Sequence, residues 1–560
     1  MTHHEGSPTP FARVMRWVRA DRNDVLLVVL YAVISAVVAL SIPITVQAMV
    51  NTVAFGALLQ PMIVLALLVF AGLAAAALFR ALQVRVVETI QERVFARTAL
   101  QLSHRLPHLD SSVFDEAHGP ELVNRFFDVV TVQKAASVLL VDGSALALQT
   151  LVGMIVLGFY HPYLLAFDAL LLGGIVLVFF GLGRGAERTA IVESKKKYAM
   201  AAWLQEVVRH PVLFKSEGGE SFATRRTYEL TQAYLNARRA HFRVLFRQIV
   251  GALSLQVVFS SVLIATGGFL VLNKQLTLGQ LVAAEIIVSG LLSGFSKVGK
   301  QLESLYDMLA GVDKLGHLLD LPAEPTGGSP FPAHRSGPAS VELKDVSFTY
   351  AGRAVLESAS LRVEPGERVA LQGQSGSGKS TLLSLLYGIR QPQEGVLEID
   401  GETMHTLKRD ALRAQVAMVR GLEIFDGTVL ENVVAGRPQV SAEDAREALE
   451  SMELWNDVKM WPQGVDTPLR SFGSSLSMGQ ARKLVLARAV ASRPRLLLLD
   501  ESLDDLDEAS RTRITNYLFD PRRPWSVLVT SHDASTLRHC TRTVVLDQGR
   551  LTDAPRGEGS

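Results

Sequence analysis

The sequence predicts an α-helical membrane domain followed by an α/β domain, and three observations support this. Six long apolar segments lie before about residue 300, a segment rich in Pro, Gly and Ser follows, and short strands then alternate with helices. A chain of 560 residues is also too long for one domain. We assign an N-terminal segment at 1–24, the membrane domain at 25–320, a linker at 321–340, the α/β domain at 341–552 and a flexible tail at 553–560.

The composition excludes several classes of protein. The mean hydropathy of +0.24 favours a membrane protein. The formal net charge of +1 gives no global basic signal for nucleic acid. Cys540 is the single cysteine of the sequence, so an internal disulfide is excluded and a cysteine metal site is disfavoured.

Each apolar segment is long enough for a helix that crosses the hydrocarbon core, which takes about 20 residues. The first, VLLVVLYAVISAVVALSIPITV, is too long for the apolar core of a signal peptide, so we expect it to be retained. The first two predicted spans begin at Val25 and at Pro61. The other four cover about 138–160, 163–183, 249–272 and 277–298.

The distribution of basic residues predicts the orientation. Four arginines, from Arg13 to Arg22, precede the first span, and the two long connections between spans are rich in Lys and Arg. The positive-inside rule then places both termini and both long connections in the cytoplasm. This predicts an integral membrane protein, with a bacterial inner or cell membrane as the expected location.

The long connections have the periodicity of helices, as in KKKYAMAAWLQEVVR. We expect the spans to continue as cytoplasmic helices that turn at 110–128 and at 209–221. Each turn would present a short segment to the domain beneath it. The alternative is a pair of amphipathic surface helices without a partner.

A phosphate-binding loop follows the strand RVALQG. Residues 373–380, GQSGSGKS, fit the pattern G-x-x-x-x-G-K-[ST], and TLLSLLYG predicts the helix that this motif requires. The glycines let the backbone wrap a phosphate, Lys379 reaches the β and γ oxygens, and the Ser380 hydroxyl ligates Mg²⁺. The predicted phosphate-binding residues are Gly373, Gln374, Ser375, Gly376, Ser377, Gly378, Lys379, Ser380 and Thr381. The predicted cofactors are ATP and Mg²⁺.

The sequence LLLLDE predicts a buried strand that ends in two adjacent carboxylates. We expect this strand to lie beside the P-loop strand, so that Asp500 reaches Mg²⁺ and Glu501 points at the γ-phosphate. Glu501 could then polarise an attacking water as a general base. The alternative is two acids that merely terminate a strand.

Six spans followed by this ATPase resemble an exporter-type half-transporter of the ABC transporter family, over nearly the whole chain. The resemblance implies that Tyr350 stacks on adenine and that His532 in TSHD contacts the γ-phosphate. LSMGQ resembles the LSGGQ signature and DDLD stands where the family has its D-loop. These segments add Ser477, Met478, Gly479, Gln480 and Asp507 to the implied nucleotide contacts.

Three positions depart from the family pattern. Counting back from FDGT places Arg420 at the glutamine of the Q-loop, where it cannot ligate a metal but could contact a phosphate. Met478 replaces a glycine of the signature and would crowd the closure of the site. Ser471 and Phe472 replace the Glu-Arg pair that exporters carry before the signature.

The resemblance implies a dimer, because the signature of one subunit closes over the nucleotide of the other. We expect an ATP-driven exporter of identical subunits that hydrolyses ATP. One alternative is the degenerate half of a heterodimer, and another is a membrane ATP sensor without transport. A soluble nucleic-acid ATPase is excluded by the six spans.

The transported substrate is not apparent from the sequence. Asp168 and Glu285 lie within predicted spans, where acids usually face the bundle interior or water. They could contact a cationic or polar substrate, or serve only helix packing. The general pattern of the chain, including KLGHLLDLP, resembles transporters of the toxin and peptide secretion branch, which would imply a periplasmic adaptor as a partner in a host with two membranes.

Overall fold

The computed structural model divides into two compact units, Met1–Ala323 and Glu324–Ser560. It describes residues 8–54, 59–116, 119–296, 298–332, 336–350, 352–470 and 475–554. The predicted tail from 555 onward and the departures at Ser471 and Phe472 lie outside these ranges. The two units are the helical membrane domain and the α/β domain that the sequence predicts.

The first unit is built from helices. Its α-helices are α1 (Pro10–Ala20), α2 (Arg22–Ala39), α3 (Ser41–Ala54), α4 (Leu59–Arg105), α5 (Ser112–Glu116), α6 (Gly119–Asn124), α7 (Asp128–Val138), α8 (Ser144–Tyr160), α9 (Pro162–Val176), α10 (Ala186–Arg209), α11 (Pro211–Lys215), α12 (Gly219–Leu272), α13 (Leu278–Ser296) and α14 (Val298–Leu319). Short 3₁₀ turns at Leu106–His108 and Arg125–Phe127 and π-turns at Leu139–Gly143 and Leu177–Gly181 connect some of them.

Five helical segments of the described chain are long and apolar enough to cross a membrane. They are Arg22–Thr52, Met62–His108, Leu122–Tyr160, Pro162–Arg209 and Gly219–Leu272. The sixth predicted span falls on α13, where the apolar helix Leu278–Leu291 is shorter than these five. The sixth span therefore stays a prediction.

The predicted helical extensions of the spans are confirmed. The helix α12 has 54 residues, and at 1.5 Å per residue it is about 80 Å long, roughly twice the thickness of a bilayer with its headgroups. The two predicted turns contain the short helices α5, α6 and α11. Asp110 begins the first turn by accepting hydrogen bonds from the Ser112 N–H and hydroxyl, at 2.9 and 2.6 Å.

Both π-turns receive a buried glutamine from a neighbouring helix. A π-turn interrupts the regular ladder of helical hydrogen bonds, so its carbonyls accept donors from outside the helix. Gln83 of α4 donates to the Leu140 carbonyl at 3.0 Å. Gln248 of α12 donates to the carbonyls of Val178 and Phe179, each at 3.4 Å, and accepts from the Tyr306 hydroxyl at 3.1 Å.

The described residues of the second unit form an α/β fold with three sheets. Its strands are β1 (Val341–Tyr350), β2 (Arg353–Val363), β3 (Arg368–Gln372), β4 (Glu394–Ile399), β5 (Glu402–Thr403), β6 (Val416–Arg420), β7 (Gly427–Thr428), β8 (Pro468–Leu469), β9 (Leu496–Asp500), β10 (Ser526–Thr530), β11 (Arg542–Asp547) and β12 (Arg550–Asp553). Its helices are α15 (Lys379–Leu386), α16 (Arg409–Arg413), α17 (Val429–Val434), α18 (Ala442–Ser451), α19 (Trp455–Val458), α20 (Met478–Ala491), α21 (Glu508–Leu518) and α22 (Ala534–Leu537), with 3₁₀ turns at Met404–Thr406 and Gly464–Asp466.

The six-stranded sheet has the order β12-β11-β3-β10-β9-β6. The five strands from β11 to β6 are parallel, and β12 pairs antiparallel with β11. The prediction that the strand ending in Asp500 lies beside the P-loop strand is therefore wrong. The strand β10 lies between β3 and β9, because it pairs with both of them.

Alternate residues of the buried strands contribute to two separate cores. Leu497 and Leu499 pack with α20, whereas Leu496 and Leu498 pack with α15. Because successive side chains of a strand point to opposite faces, α15 and α20 cover opposite faces of the sheet. The predicted linker belongs to this unit from Glu324 onward, and Glu324 pairs with Arg413 at 2.6 Å.

We expect Gln248→Leu to destabilise the membrane domain. Gln248 is fully buried, and the substitution leaves the Tyr306 hydroxyl and two π-turn carbonyls without its hydrogen bonds. Leaving a buried polar group unsatisfied costs about 1–3 kcal/mol. The thermal-unfolding midpoint in detergent should fall, and combining the change with Tyr306→Phe should recover part of the loss.

The matched control is Gln256→Leu, at a half-buried position on the same helix. An equal loss of stability for both glutamine variants would contradict the role of Gln248 at the π-turn.

Candidate nucleotide site

The P-loop is shaped by three glycines with left-handed backbone. Gly373, Gly376 and Gly378 have φ angles of 150°, 79° and 107°. A Cβ at Gly373 would lie 2.4 Å from the Leu546 carbonyl oxygen, so only glycine fits there. The helix α15 begins at Lys379, so its first N–H groups face the cradle, as an anion site requires.

Lys379 closes the loop from inside. Its Nζ donates to the carbonyls of Gly373 and Gln374 at 2.8 and 3.0 Å. Ser377 N–H also donates to the Gln374 carbonyl, at 3.1 Å. The predicted P-loop residues from Gly373 to Thr381 thus lie in one continuous strand–loop–helix segment.

The strand β10 fixes the two adjacent acids. Asp500 Oδ1 accepts from the Thr530 hydroxyl at 3.0 Å. The Glu501 N–H donates to the same hydroxyl at 2.9 Å and to the Thr530 carbonyl at 3.1 Å. Glu501 has a φ of 48°, a strained conformation for a residue with a side chain, and such strain often accompanies functional sites. Thr530 was not among the predicted site residues, although it directly precedes SHD.

His532 lies next to Glu501 at the end of β10. Its Nε2 is 3.8 Å from Glu501 Oε1, and both side chains are exposed. Asp504 fixes this loop by accepting from the Ser531 hydroxyl at 2.6 Å and from the His532 N–H at 3.4 Å. The predicted general base and the predicted switch histidine are therefore adjacent.

Arg420 contacts both the acid and the P-loop helix. It is the register partner of Asp500 across β6 and β9. Its Nε lies 3.6 Å from Asp500 Oδ2, and its Nη1 donates to the Ser384 hydroxyl at 3.2 Å. Ser384 is one helical turn beyond Ser380 and donates to its carbonyl at 2.7 Å.

Three side chains stand where a Mg²⁺ ion would be held, those of Ser380, Asp500 and Arg420, and the first two suit this ion. Ser380 and Asp500 carry oxygen, which Mg²⁺ prefers. With Oδ1 of Asp500 held by Thr530, the oxygen that would face a cation is Oδ2, which lies 3.6 Å from Arg420 Nε. Arg420 stands at the third position and offers only hydrogen-bond donors.

The signature segment forms the start of α20 on the other face of the sheet. Ser477 is the N-cap and exchanges two hydrogen bonds with Gln480, at 3.1 and 3.2 Å. Gln480 also donates to Asp457 at 3.0 Å. Met478 is exposed, and a Cβ at Gly479 would meet nothing within 4 Å.

The two remaining predicted contacts lie elsewhere in the domain. Tyr350 ends β1, and the Arg390 guanidinium lies 5.0 Å from the centre of its ring. Asp507 caps α21 by accepting from the Ser510 N–H at 2.9 Å, and this bond lowers the pKa of the Asp507 carboxyl. In this chain Asp507 is therefore the N-cap of α21.

Two arginines missed by the sequence analysis join the loops of the site. Arg482 of α20 pairs with Asp505 and donates to the Gly421 carbonyl at 2.9 Å. Arg511 of α21 pairs with Asp533 at 3.0 Å and donates to carbonyls of the D-loop. A neighbouring Ser535 hydroxyl lowers the pKa of Asp533 to about 2. No local motif marks these arginines.

The two acids of the predicted spans differ in their surroundings. Asp168 is buried, and within the described residues neither of its carboxylate oxygens has a hydrogen-bond partner. Glu285 accepts from the Ser289 hydroxyl at 2.9 Å. A role of these two acids in substrate contact stays a prediction.

The fold and the site define a class of protein, a membrane protein that carries a fused P-loop nucleotide-binding domain. Comparison with known families narrows this class. The model of the ABC transporter transmembrane region matches residues 25–294, and the ABC transporter model matches residues 356–504. The chain therefore belongs to the ABC transporter family and contains its transmembrane region and its ATP-binding domain in one polypeptide.

Several relatives cover most of the chain. An ATP-dependent lipid A-core flippase of Burkholderia thailandensis is 29% identical over 84% of this chain and 79% of its own length. A mycobactin import ATP-binding/permease protein of Mycolicibacterium thermoresistibile is 27% identical over 82% and 80%. A fatty acid ABC transporter ATP-binding/permease protein of Mycobacterium bovis is 26% identical over 86% and 76%.

A solved structure agrees with the fold. A bacterial Atm1-family ABC exporter with ATP bound superposes with a TM-score of 0.85, at 22% identity, over 95% of this chain and 94% of that one. The fold is therefore that of an ABC exporter, as the sequence predicts.

We expect Asp504→Ala to slow ATP turnover roughly ten- to a hundredfold without loss of ATP binding. The change removes the acceptor for Ser531 and His532, and a misplacement of about 1 Å near the reacting groups can cost that much. Turnover and nucleotide binding of the purified protein measure the two effects. Glu508→Ala, at an exposed position of α21, is the control, and equal turnover of the two variants would contradict this role for Asp504.

Proposed function

We propose that this chain is one half of an ATP-driven exporter, in which ATP binding and hydrolysis drive alternating access of the membrane domain. The observation that carries the proposal is the meeting of the P-loop, the Asp500–Glu501 pair and His532 at one edge of the parallel sheet. Ligands of open α/β sheets bind at that edge, beyond the carboxyl ends of the strands.

Each side chain has a role that its position supports. Lys379 would leave the loop carbonyls and bind the β and γ oxygens of ATP, while the N–H groups at the start of α15 bind phosphate. Ser380 and Asp500 would hold Mg²⁺, which when bound supplies positive charge to the phosphates. Tyr350 would stack on the adenine.

Glu501 would act as the general base. Its exposed carboxylate can accept the proton of a water that attacks the γ-phosphate, and the Thr530 bonds to its backbone hold it in place. His532 beside it would bind the γ-phosphate and sense its loss. General-base catalysis typically contributes about 10²–10⁴ in rate.

The site requires a second subunit. The P-loop helix α15 and the signature helix α20 cover opposite faces of one sheet, which favours closure of each P-loop by a signature from another chain. Ser477, Met478, Gly479 and Gln480 would make those contacts, with the D-loop beside them. A homodimer is the proposed assembly.

A heterodimer is the second candidate, and Arg420 is the observation that favours it. A half with an altered Q-loop position could pair with a chain that carries the usual glutamine. Arg420 would also suit a membrane ATP sensor without transport. Glu501 and His532 argue against such a sensor, because a sensor needs no general base.

The proposed location is a bacterial inner or cell membrane with both termini in the cytoplasm, supported by the arginines before the first span. The names of the three relatives include lipid A-core, mycobactin and fatty acid, as well as both import and flipping. These names do not favour one substrate for this chain. A periplasmic adaptor stays a prediction from the sequence.

The first test is ATP turnover of the purified protein in lipid, with Glu501→Gln beside it. We expect Glu501→Gln to lose at least about a hundredfold in turnover while it still binds ATP, because the amide cannot accept the proton. Lys379→Ala should lose binding. Binding without turnover by the wild type would support the degenerate half or the sensor instead.

The second test asks whether the site is shared between chains. Lys379→Ala and Gly479→Glu should each be inactive alone, and a Cβ at Gly479 would meet no atom of its own chain within 4 Å among the described residues. A complex that contains one copy of each variant, purified by two tags, keeps one intact composite site and should hydrolyse ATP. An inactive mixed complex, beside an active wild-type complex with the same tags, would contradict a shared site.

A further inference from the structure

Arg420 places a permanent positive charge at the oxygen of Asp500 that would face Mg²⁺. The pairing of β6 with β9 fixes this arrangement, because Arg420 and Asp500 are register partners and their side chains emerge side by side. The guanidinium has no acceptor, and it does not lose its charge in proteins. It is therefore a built-in cation of the site.

The guanidinium also contacts the helix that carries Ser380. Arg420 Nη1 donates to Ser384, whose hydroxyl in turn donates to the Ser380 carbonyl. The positive charge thus lies between Asp500 and α15, the two elements that would hold the metal ion. Among the described residues, the two contacts of the Arg420 side chain are made by Nε and Nη1 and not by Nη2.

The Arg420–Asp500 contact is weak enough to be exchanged. The distance of 3.6 Å exceeds that of a hydrogen bond, and about half of the Arg420 side chain is exposed, at 53%. The Asp500 side chain is buried, at 7% exposure, and it keeps its hydrogen bond from the Thr530 hydroxyl when the guanidinium turns away. A phosphate offers a better partner, because a guanidinium can donate two parallel charge-assisted hydrogen bonds to its oxygens.

We infer that Arg420 supplies the charge that neutralises the phosphates when nucleotide binds, so that this site binds a metal-free nucleoside triphosphate nearly as tightly as its Mg²⁺ complex. A divalent cation at Ser380 and Asp500 would meet the repulsion of the guanidinium, and Mg²⁺ would add little to affinity. This inference rests on the nucleotide site of the proposed function. It concerns binding and not turnover.

The test compares binding of the fluorescent nucleotide TNP-ATP to the full-length protein in excess EDTA and in saturating MgCl₂. For the wild type we expect affinities within about threefold of each other. Arg420→Met should bind roughly tenfold or more weakly in EDTA, since charge-assisted hydrogen bonds to phosphate are lost. Arg420→Gln should be equally weak in EDTA and should regain affinity when Mg²⁺ is added, because its amide supplies an oxygen.

Arg446→Met is the matched control. Arg446 is similarly exposed, at 60%, and pairs with Glu450 on α18. It should behave as the wild type in both conditions, which separates a local effect from the loss of one positive charge.

The outcomes separate the two proposals. Tight wild-type binding with Mg²⁺ and a loss of tenfold or more in EDTA would overturn the inference about Arg420 and leave the nucleotide site intact. The inference would also be overturned if the ratio of the affinity with Mg²⁺ to the affinity in EDTA were the same for Arg420→Met as for the wild type. Binding no stronger than that of Lys379→Ala in either condition would overturn the nucleotide site itself, and this inference with it.

Discussion

The parallel pairing of β10 with β3 and β9 determines where the groups of the site lie. Both β9 and β10 are fully buried, and they pair from Ser526 opposite Leu496 to Thr530 opposite Asp500. This register brings Thr530 level with Asp500, and Thr530 then holds both acids through its hydroxyl and carbonyl. The P-loop, the acids and His532 meet at one edge because the strands that carry them run in the same direction.

The same sheet explains why one chain would need a partner. Alternation along β9 and β10 divides the interior into two cores, with α15 on one and α20 on the other. The cradle for phosphate and the signature segment are thereby kept on different faces. Arg482 and Arg511 connect the loops around these faces, so a movement of one loop would displace the residues bonded to it in the others.

The membrane unit solves a different problem, the satisfaction of backbone groups in an apolar environment. The π-turns at Leu139–Gly143 and Leu177–Gly181 disturb two long helices, and buried glutamines from neighbouring helices donate to their carbonyls. Such donors matter more in a bilayer, where water cannot replace them. In the ATP-binding domain Arg420 is the residue that departs from the family pattern, because it places a hydrogen-bond donor where that pattern has an oxygen.

The sequence alone predicted the two domains, the first five spans with their helical extensions, the P-loop and the acids at the end of a buried strand. These features are local, because length, apolarity and glycine spacing fix them within one segment. Strand order is not local. The sequence predicts β9 beside β3, whereas in the folded chain β10 lies between them, because pairing depends on which buried faces fit together across more than a hundred residues. For the same reason the partners of Arg420 and the support of Glu501 by Thr530 were decided only in the folded chain, where sheet register brings residues from distant segments into contact.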